Sequence, residues 1–182
     1  MIFFTADQHF GHSNIIKHCD RPFQNVQEMD ETLLTNWNAI VGSQDIVYIL
    51  GDLFFRNIVP VADYLQYLKG KKHLLIGNHD KDWMKEINLS QYFESVERMV
   101  EINDGSHKIT LCHYPMMSWD GIAKGDYMIH GHIHSNIDSD YFPLIRKMPN
   151  LLNAGVELNE YRPVNLNELL KNNIAYKRNN IA

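Results

Sequence analysis

Six short apolar runs rich in β-branched and aromatic residues recur along the chain: IFFTA, DIVYIL, KHLLI, KITLC, DYMI and NLLNA. Each has the length and composition of a buried strand. Helical patterns separate the early ones. In VQEMDETLLTNWNAIV, Met29, Leu33, Trp37, Ile40 and Val41 fall on one face at helical spacing. NIVPVADYLQYLKG offers Asn57 as a cap, Pro60 in the first turn and Gly70 as a stop. KDWMKEI suggests a shorter, weaker helix, and Asn165 with Glu168 opens a terminal helix in the manner of a capping box. Asp104-Gly105 between apolar runs marks a hairpin. Strand and helix alternate first and strands dominate later, which implies an α/β layered fold with mixed sheets.

The chain of 182 residues shows no internal repeat, low-complexity tract or long linker, so a single domain over 1–182 is expected. A formal charge of -5 argues against a general binder of nucleic acid or anionic membranes. No apolar run approaches membrane-spanning length. The opening MIFFTADQHF lacks a basic n-region and reads as a first strand. Cys19 and Cys112 do not amount to a disulfide framework, and a reducing, cytoplasmic setting is the expectation. Histidine is over-represented, at 10 residues, and it is both the commonest metal ligand and the usual acid or base near neutral pH.

The polar residues that follow the strands carry the chemistry. IFFTA leads into Asp7-Gln8-His9, DIVYIL into Gly51-Asp52, and KHLLI into Gly77-Asn78-His79-Asp80. KITLC leads into His113, and DYMI into His130-Gly131-His132-Ile133-His134, where Gly131 suggests that the backbone turns. Ligands of open α/β sheets gather at the carboxyl ends of strands. Carboxylate and amide oxygens beside imidazole nitrogens form a set that suits Mn, Fe or Zn without a thiolate.

These blocks, Asp7-x-His9, Gly51-Asp52, Gly77-Asn78-His79-Asp80, His113 and Gly131-His132-x-His134, resemble the calcineurin-like metallophosphoesterase superfamily in kind and in order. The resemblance spans roughly residues 1 to 157, and the closing NAGVELNEYRPVNLNEL is similar to the tail of small bacterial and phage members. It implies two mixed β-sheets packed as a sandwich flanked by helices. It also implies two divalent metal ions, with Mn²⁺ favoured and Fe or Zn possible. Asp7, His9 and His134 would hold the first metal, Asn78, His113 and His132 the second, and Asp52 would bridge them. His79 would stand unligated beside the pair and assist the leaving group. The implied reaction is in-line attack by a metal-bridging hydroxide on a phosphodiester or nucleotide-type phosphoester. Two carboxylates cancel only half the charge of two divalent ions, so the site stays electropositive towards a phosphate anion.

The pattern departs from G-D-x-x-D-R-G: the block reads Gly51-Asp52-Leu53-Phe54-Phe55-Arg56, with Phe55 where an Asp would orient the histidine. That makes a protein-phosphatase role less fitting. Arg56 is a candidate for a substrate phosphate oxygen or for a surface carboxylate. His12 reads first as a loop histidine, Arg21 as structural, Asp80 as a helix cap, and His130 as a strand-end residue packed behind the site. A small phosphoester or nucleotide is the expected substrate, ahead of a nuclease of the same superfamily and of a non-catalytic metal-containing scaffold. No clustered Lys/Arg stripe favours nucleic acid, and the HxHxDH block of metallo-β-lactamases is absent.

Overall fold

The computed structural model describes residues 1–56 and 59–179. In chain order the elements are β1 (Ile2–Thr5), α1 (Ser13–His18), α2 (Val26–Ile40), β2 (Ile46–Ile49), α3 (Val61–Tyr67), β3 (Lys71–Leu75), β4 (Ser95–Glu97), β5 (Met99–Asn103), β6 (Lys108–Cys112), β7 (Tyr127–His130), α4 (Phe142–Ile145), β8 (Leu151–Asn153) and α5 (Leu166–Asn179). The molecule is α/β, with two four-stranded sheets ordered β1-β2-β3-β4 and β5-β6-β7-β8.

Only the second sheet is mixed, which corrects the expectation of two mixed sheets. In the first, β1, β2, β3 and β4 all run parallel. α1 and α2 carry the chain back from β1 to β2, α3 does so from β2 to β3, and 3₁₀ turns at Trp83–Lys85 and Leu89–Gln91 do so before β4. Such crossovers return the chain to the same end of the sheet, whereas a short turn reverses it. The single antiparallel pair, β5 with β6, is the hairpin at Asp104-Gly105, and β6, β7 and β8 then run parallel. Asp104 Oδ1 accepts the Ser106 and His107 N–H groups, and Gly105 sits at φ 97°.

Side-chain alternation assigns neighbours on one strand to different apolar clusters. Phe3, Val47, Ile49 and Leu74 join Met29, Leu33 and Trp37 of α2 and Leu65 of α3. Phe4, Leu50 and Leu75 instead share a cluster with Ile109, Leu111, Ile129 and Leu152 of the second sheet. Each such fully buried side chain contributes about 1.5–3 kcal/mol. Ile40, expected on the buried face of α2, is 39% exposed. The chain leaves the helix there, and Val41 takes the core position at 2%.

The helix ends follow local chemistry. Asn165 Oδ1 accepts the Glu168 N–H at 3.1 Å and the Glu168 carboxylate accepts the Asn165 N–H at 3.1 Å, a reciprocal cap. The segment expected as a weak helix forms only the Trp83–Lys85 turn, because the Trp83 indole donates to Asp80 Oδ1 at 2.9 Å and ties the segment to the strand ends. The proposed cap Asn57 lies outside the described residues; α3 starts after Pro60.

Candidate metal centre

Both sheets deliver their polar strand-end residues to one place. The Asp7 N–H donates to Gly51 O at 3.0 Å, and the Gly131 N–H donates to His113 O at 3.0 Å. The sheets are joined when the His132 N–H donates to Asp7 Oδ2 at 2.9 Å. Among the groups of potential ligands that result are Asp7 with His9 and His134, and Asp52 with His113 and His132, each with donor atoms within 4.8 Å of one another; Cys19 and Glu157 form a further such group with His134. Asp52 Oδ2 lies between the first two groups, 3.7 Å from His9 Nε2 and 3.5 Å from His113 Nε2. Asn78 Oδ1 is 3.1 Å from His113 Nε2. All seven residues singled out as ligands in the sequence therefore converge.

The backbone bends sharply to achieve this. Asp7, His9, Asp52, His132 and His134 have φ of 60°, 54°, 54°, 72° and 49°. Left-handed backbone is uncommon for residues with a Cβ, although Asp and His tolerate it best, and such strain gathers at functional sites. The motif glycines are required by close approach. A Cβ on Gly131 would stand 2.6 Å from the Ala6 Cβ and 2.7 Å from Asp7 Oδ2. A Cβ on Gly77 would collide with the Asp52 carboxylate and backbone nitrogen.

Three buried groups that are not in the ligand set hold it in place. Asp80 is wholly buried and accepts four N–H groups: Asp52 at 2.9 Å, Leu53 at 3.0 Å, Gly77 at 2.7 Å and the Trp83 indole at 2.9 Å. The helix-cap reading of Asp80 is thus replaced by one in which it pins two motif blocks together. Glu157 Oε1 lies 2.9 Å from His134 Nδ1 and pairs with Arg21 Nη2 at 2.6 Å. Arg21 also donates to the carbonyl oxygens of Asp7, at 2.7 Å, and Gln8, at 2.8 Å. The structural expectation for Arg21 stands, but it acts on the ligand turn itself. Glu157 was not singled out from the sequence. No fixed spacing links it to Arg21 or His134, and its position in a 3₁₀ turn after a Gly carries no motif.

His79 is exposed and its backbone N–H donates to Asp52 Oδ1 at 2.8 Å. Its ring centroid is 5.3 Å from that of His9, 5.5 Å from Phe55 and 6.4 Å from His12. Among the described residues no carboxylate hydrogen-bonds to the His79 ring, and its neighbours are the rings of His9, Phe55 and His12. His12 stacks on Phe55 at 3.5 Å with the rings 4° apart. The Arg56 guanidinium lies 5.0 Å from the Phe55 centroid. His130 ends β7, wholly buried, as expected of a residue behind the site.

The electrostatics follow from burial and pairing. Burial, with Asp52 and Glu157 nearby, pushes the Asp7 carboxyl up to about 7 against the pull of His134 and His113. Burial holds His9 well below the usual imidazole range, and the nearby cations His134 and Arg21 act in the same direction. Burial alone would lower His113, but Asp52 and Asp7 raise it to about 9. His134 likewise rises to about 11 against burial, through the Cys19 thiol, Glu157 and Asp7. The Glu157 carboxyl, despite burial, is held down at about 2 by Arg21 and His134.

A divalent cation fits this environment. His9 is 1% exposed, yet among the described residues neither ring nitrogen has a hydrogen-bond partner. Buried polar atoms are nearly always satisfied, and a neutral imidazole close to two carboxylates is suited to bind a metal ion. A cleft of about 640 Å³ opens beside His132 and His134, walled in part by Ile15, Cys19, Asp20, Asp138 and Tyr141. No described helix is long and apolar enough to cross a membrane.

No family model matches the chain. It is 40% identical over 172 residues to the uncharacterized protein MJ1445 of Methanocaldococcus jannaschii, covering 93% of this chain and 89% of that one. It is 28% identical over 165 residues to the Gene 66 protein of Mycobacterium phage D29, covering 75% and 79%. Among solved structures it resembles the protein of unknown function AQ665 from Aquifex aeolicus, with a TM-score of 0.72 and 29% identity over 94% of this chain and 98% of that chain.

Proposed function

The chain belongs to the family of the uncharacterized protein MJ1445 of Methanocaldococcus jannaschii, and we propose that it is a dinuclear metal-dependent phosphoesterase. The observation that carries this reading is the placement of Asp52 Oδ2, 3.7 Å from His9 Nε2 and 3.5 Å from His113 Nε2, between two groups of ligands. Asp7, His9 and His134 would hold one metal, Asn78, His113 and His132 the other, with Asp52 shared. Mn²⁺ is favoured, since oxygen donors sit beside imidazoles, and Fe or Zn tolerates the same set. Two such ions would polarise a phosphoryl oxygen and supply a nucleophilic water near neutral pH. The apolar cluster drawn from both sheets supports the face-to-face sandwich that the resemblance implies.

The chain's own residues supply the rest. The His79 ring stands on the solvent side of His9, where an imidazole nitrogen can hand a proton to a departing alkoxide. Its backbone N–H holds the Asp52 carboxylate at the same time. Arg56, lying over Phe55 next to His79, offers a guanidinium to a phosphate oxygen. Asp20 and Asp138 on the cleft wall disfavour a polyanionic strand, which supports a small phosphodiester or nucleotide over nucleic acid. Cys19 and Cys112 are free thiols, which fits a reducing cytoplasm.

The test is turnover of bis-p-nitrophenyl phosphate and p-nitrophenyl phosphate by metal-stripped protein refilled with Mn²⁺. Metal-dependent release, faster from the diester, is expected. Release from neither, in protein shown to hold two metals, overturns a general phosphoesterase.

A further inference from the structure

Resting on that metal-centre reading, we infer that the buried Arg21–Glu157 pair is the positioning device of the Asp7–His9–His134 site, fixing which nitrogen His134 presents to the metal. The two residues stand 136 positions apart in the chain, and their side chains are 0% and 4% exposed. Glu157 Oε1 lies 2.9 Å from His134 Nδ1. With the proton of His134 on Nδ1, donated to that carboxylate, Nε2 is left as the lone-pair atom. A carboxylate behind a ligand histidine fixes both tautomer and ring orientation.

Arg21 makes the arrangement more than a single hydrogen bond. Its Nε and Nη2 both donate to Glu157 Oε1, at 3.0 and 2.6 Å. Its Nη2 and Nη1 also donate to the carbonyl oxygens of Asp7 and Gln8, at 2.7 and 2.8 Å. Those carbonyls belong to the turn in which Asp7 and His9 adopt left-handed backbone, with φ of 60° and 54°. One guanidinium thus grips the turn that bears two ligands and the carboxylate that aims the third. A lysine has the charge but lacks the planar fork needed to serve three oxygens at once. Asn153 supports the same residue from the main chain, donating from Nδ2 to His134 O at 2.7 Å. In the other site the corresponding partner is a backbone acceptor: His113 Nδ1 is 2.7 Å from Leu50 O.

The inference therefore predicts a one-sided defect. Zn²⁺ is titrated into ¹⁵N-histidine-labelled protein, and the imidazole resonances of each site are followed separately. In Glu157→Gln the affinity reported by His9 and His134 is expected to fall about 10–100-fold, while that reported by His113 and His132 stays within about threefold. Arg21→Lys should weaken the same site only, and Glu157→Asp should recover part of the loss. Equal losses at both sites, or none at either, overturn the inference. Wild-type protein provides a test that no folding defect can blur: bound Zn²⁺ should sit on His134 Nε2 with a proton on Nδ1, and metallation at Nδ1 overturns it. Wild type that takes up no Zn²⁺ at either group of histidines would instead overturn the metal-centre reading.

Discussion

The Asp80 carboxylate accepts the backbone N–H of Asp52 at 2.9 Å, so a residue from the turn after β3 fixes the residue placed between the two ligand groups. The same carboxylate holds Leu53, Gly77 and the Trp83 indole. Removing it would strand four donors in a site with no solvent. Each such donor costs about 1–3 kcal/mol, partly relieved by relaxation. Asp80→Ala is therefore expected to lose about 4 kcal/mol in urea unfolding, near the upper end for single substitutions. A loss below about 1 kcal/mol would mean that the four bonds are not held in solution.

Gly131 faces Ala6 and Asp7 so closely that a methyl group has no room. Gly131→Ala must push β1 away from the turn after β7, and Asp7 Oδ2 with it. Overpacking of this kind costs about 1–3 kcal/mol. The expected outcome is a folded protein with a lowered melting temperature and weakened uptake of Mn²⁺, measured by equilibrium dialysis. Unchanged Mn²⁺ uptake would show that the two sheets can part without disturbing the ligands.

Much of this arrangement was legible in the sequence, because ligands that close a strand are marked by the strand itself. The six apolar runs became β1, β2, β3, β6, β7 and β8, and each ligand block follows one of the first five. β4 escaped notice because Ser95–Glu97 is three residues long and lacks a fully buried position. α1 and α4 are short, and neither has a side-chain cap to announce it. The direction of β4 and the roles of Glu157, Arg21 and Asp80 depend on contacts between distant segments. Asp80 stood within a recognised block, but its partners could not be read from spacing, and a buried carboxylate such as Glu157 has no periodicity to single it out.

Asp30 gives the protein a pH dependence separate from the ligands. It is 4% exposed and accepts the Gly11 N–H at 3.0 Å and the Tyr64 hydroxyl at 2.9 Å. Burial pushes its carboxyl up to about 6, outweighing the pull of those hydrogen bonds. Between the ordinary unfolded value near 4 and that folded value, the folded chain keeps a proton that the unfolded chain has lost. Stability therefore falls as pH rises through this window and levels off above it. Asp7, pushed up to about 7, has the same sign, so the comparison must be with Asp30→Asn rather than with a flat baseline. The wild type should lose about 3 kcal/mol more than Asp30→Asn between the two limits. Parallel pH profiles of urea unfolding would show that Asp30 is ionised throughout.

On the proposed reading, the role of His79 can be separated from that of the candidate metal ligands by the leaving group. Its backbone N–H, not its ring, holds Asp52, so His79→Gln keeps that bond and should keep the metal content. A p-nitrophenolate departs without a proton, whereas an alkoxide needs one as the bond to phosphorus breaks. Loss of a general acid costs about 10²–10⁴-fold where the proton is needed. His79→Gln should therefore lose about that factor in kcat on a dialkyl-type diester such as a dinucleoside phosphate, and far less on bis-p-nitrophenyl phosphate. The His79 ring has aromatic neighbours at 5.3 and 5.5 Å. Equal losses on both substrates would show that the ring stabilises charge on the phosphoryl group instead of delivering a proton.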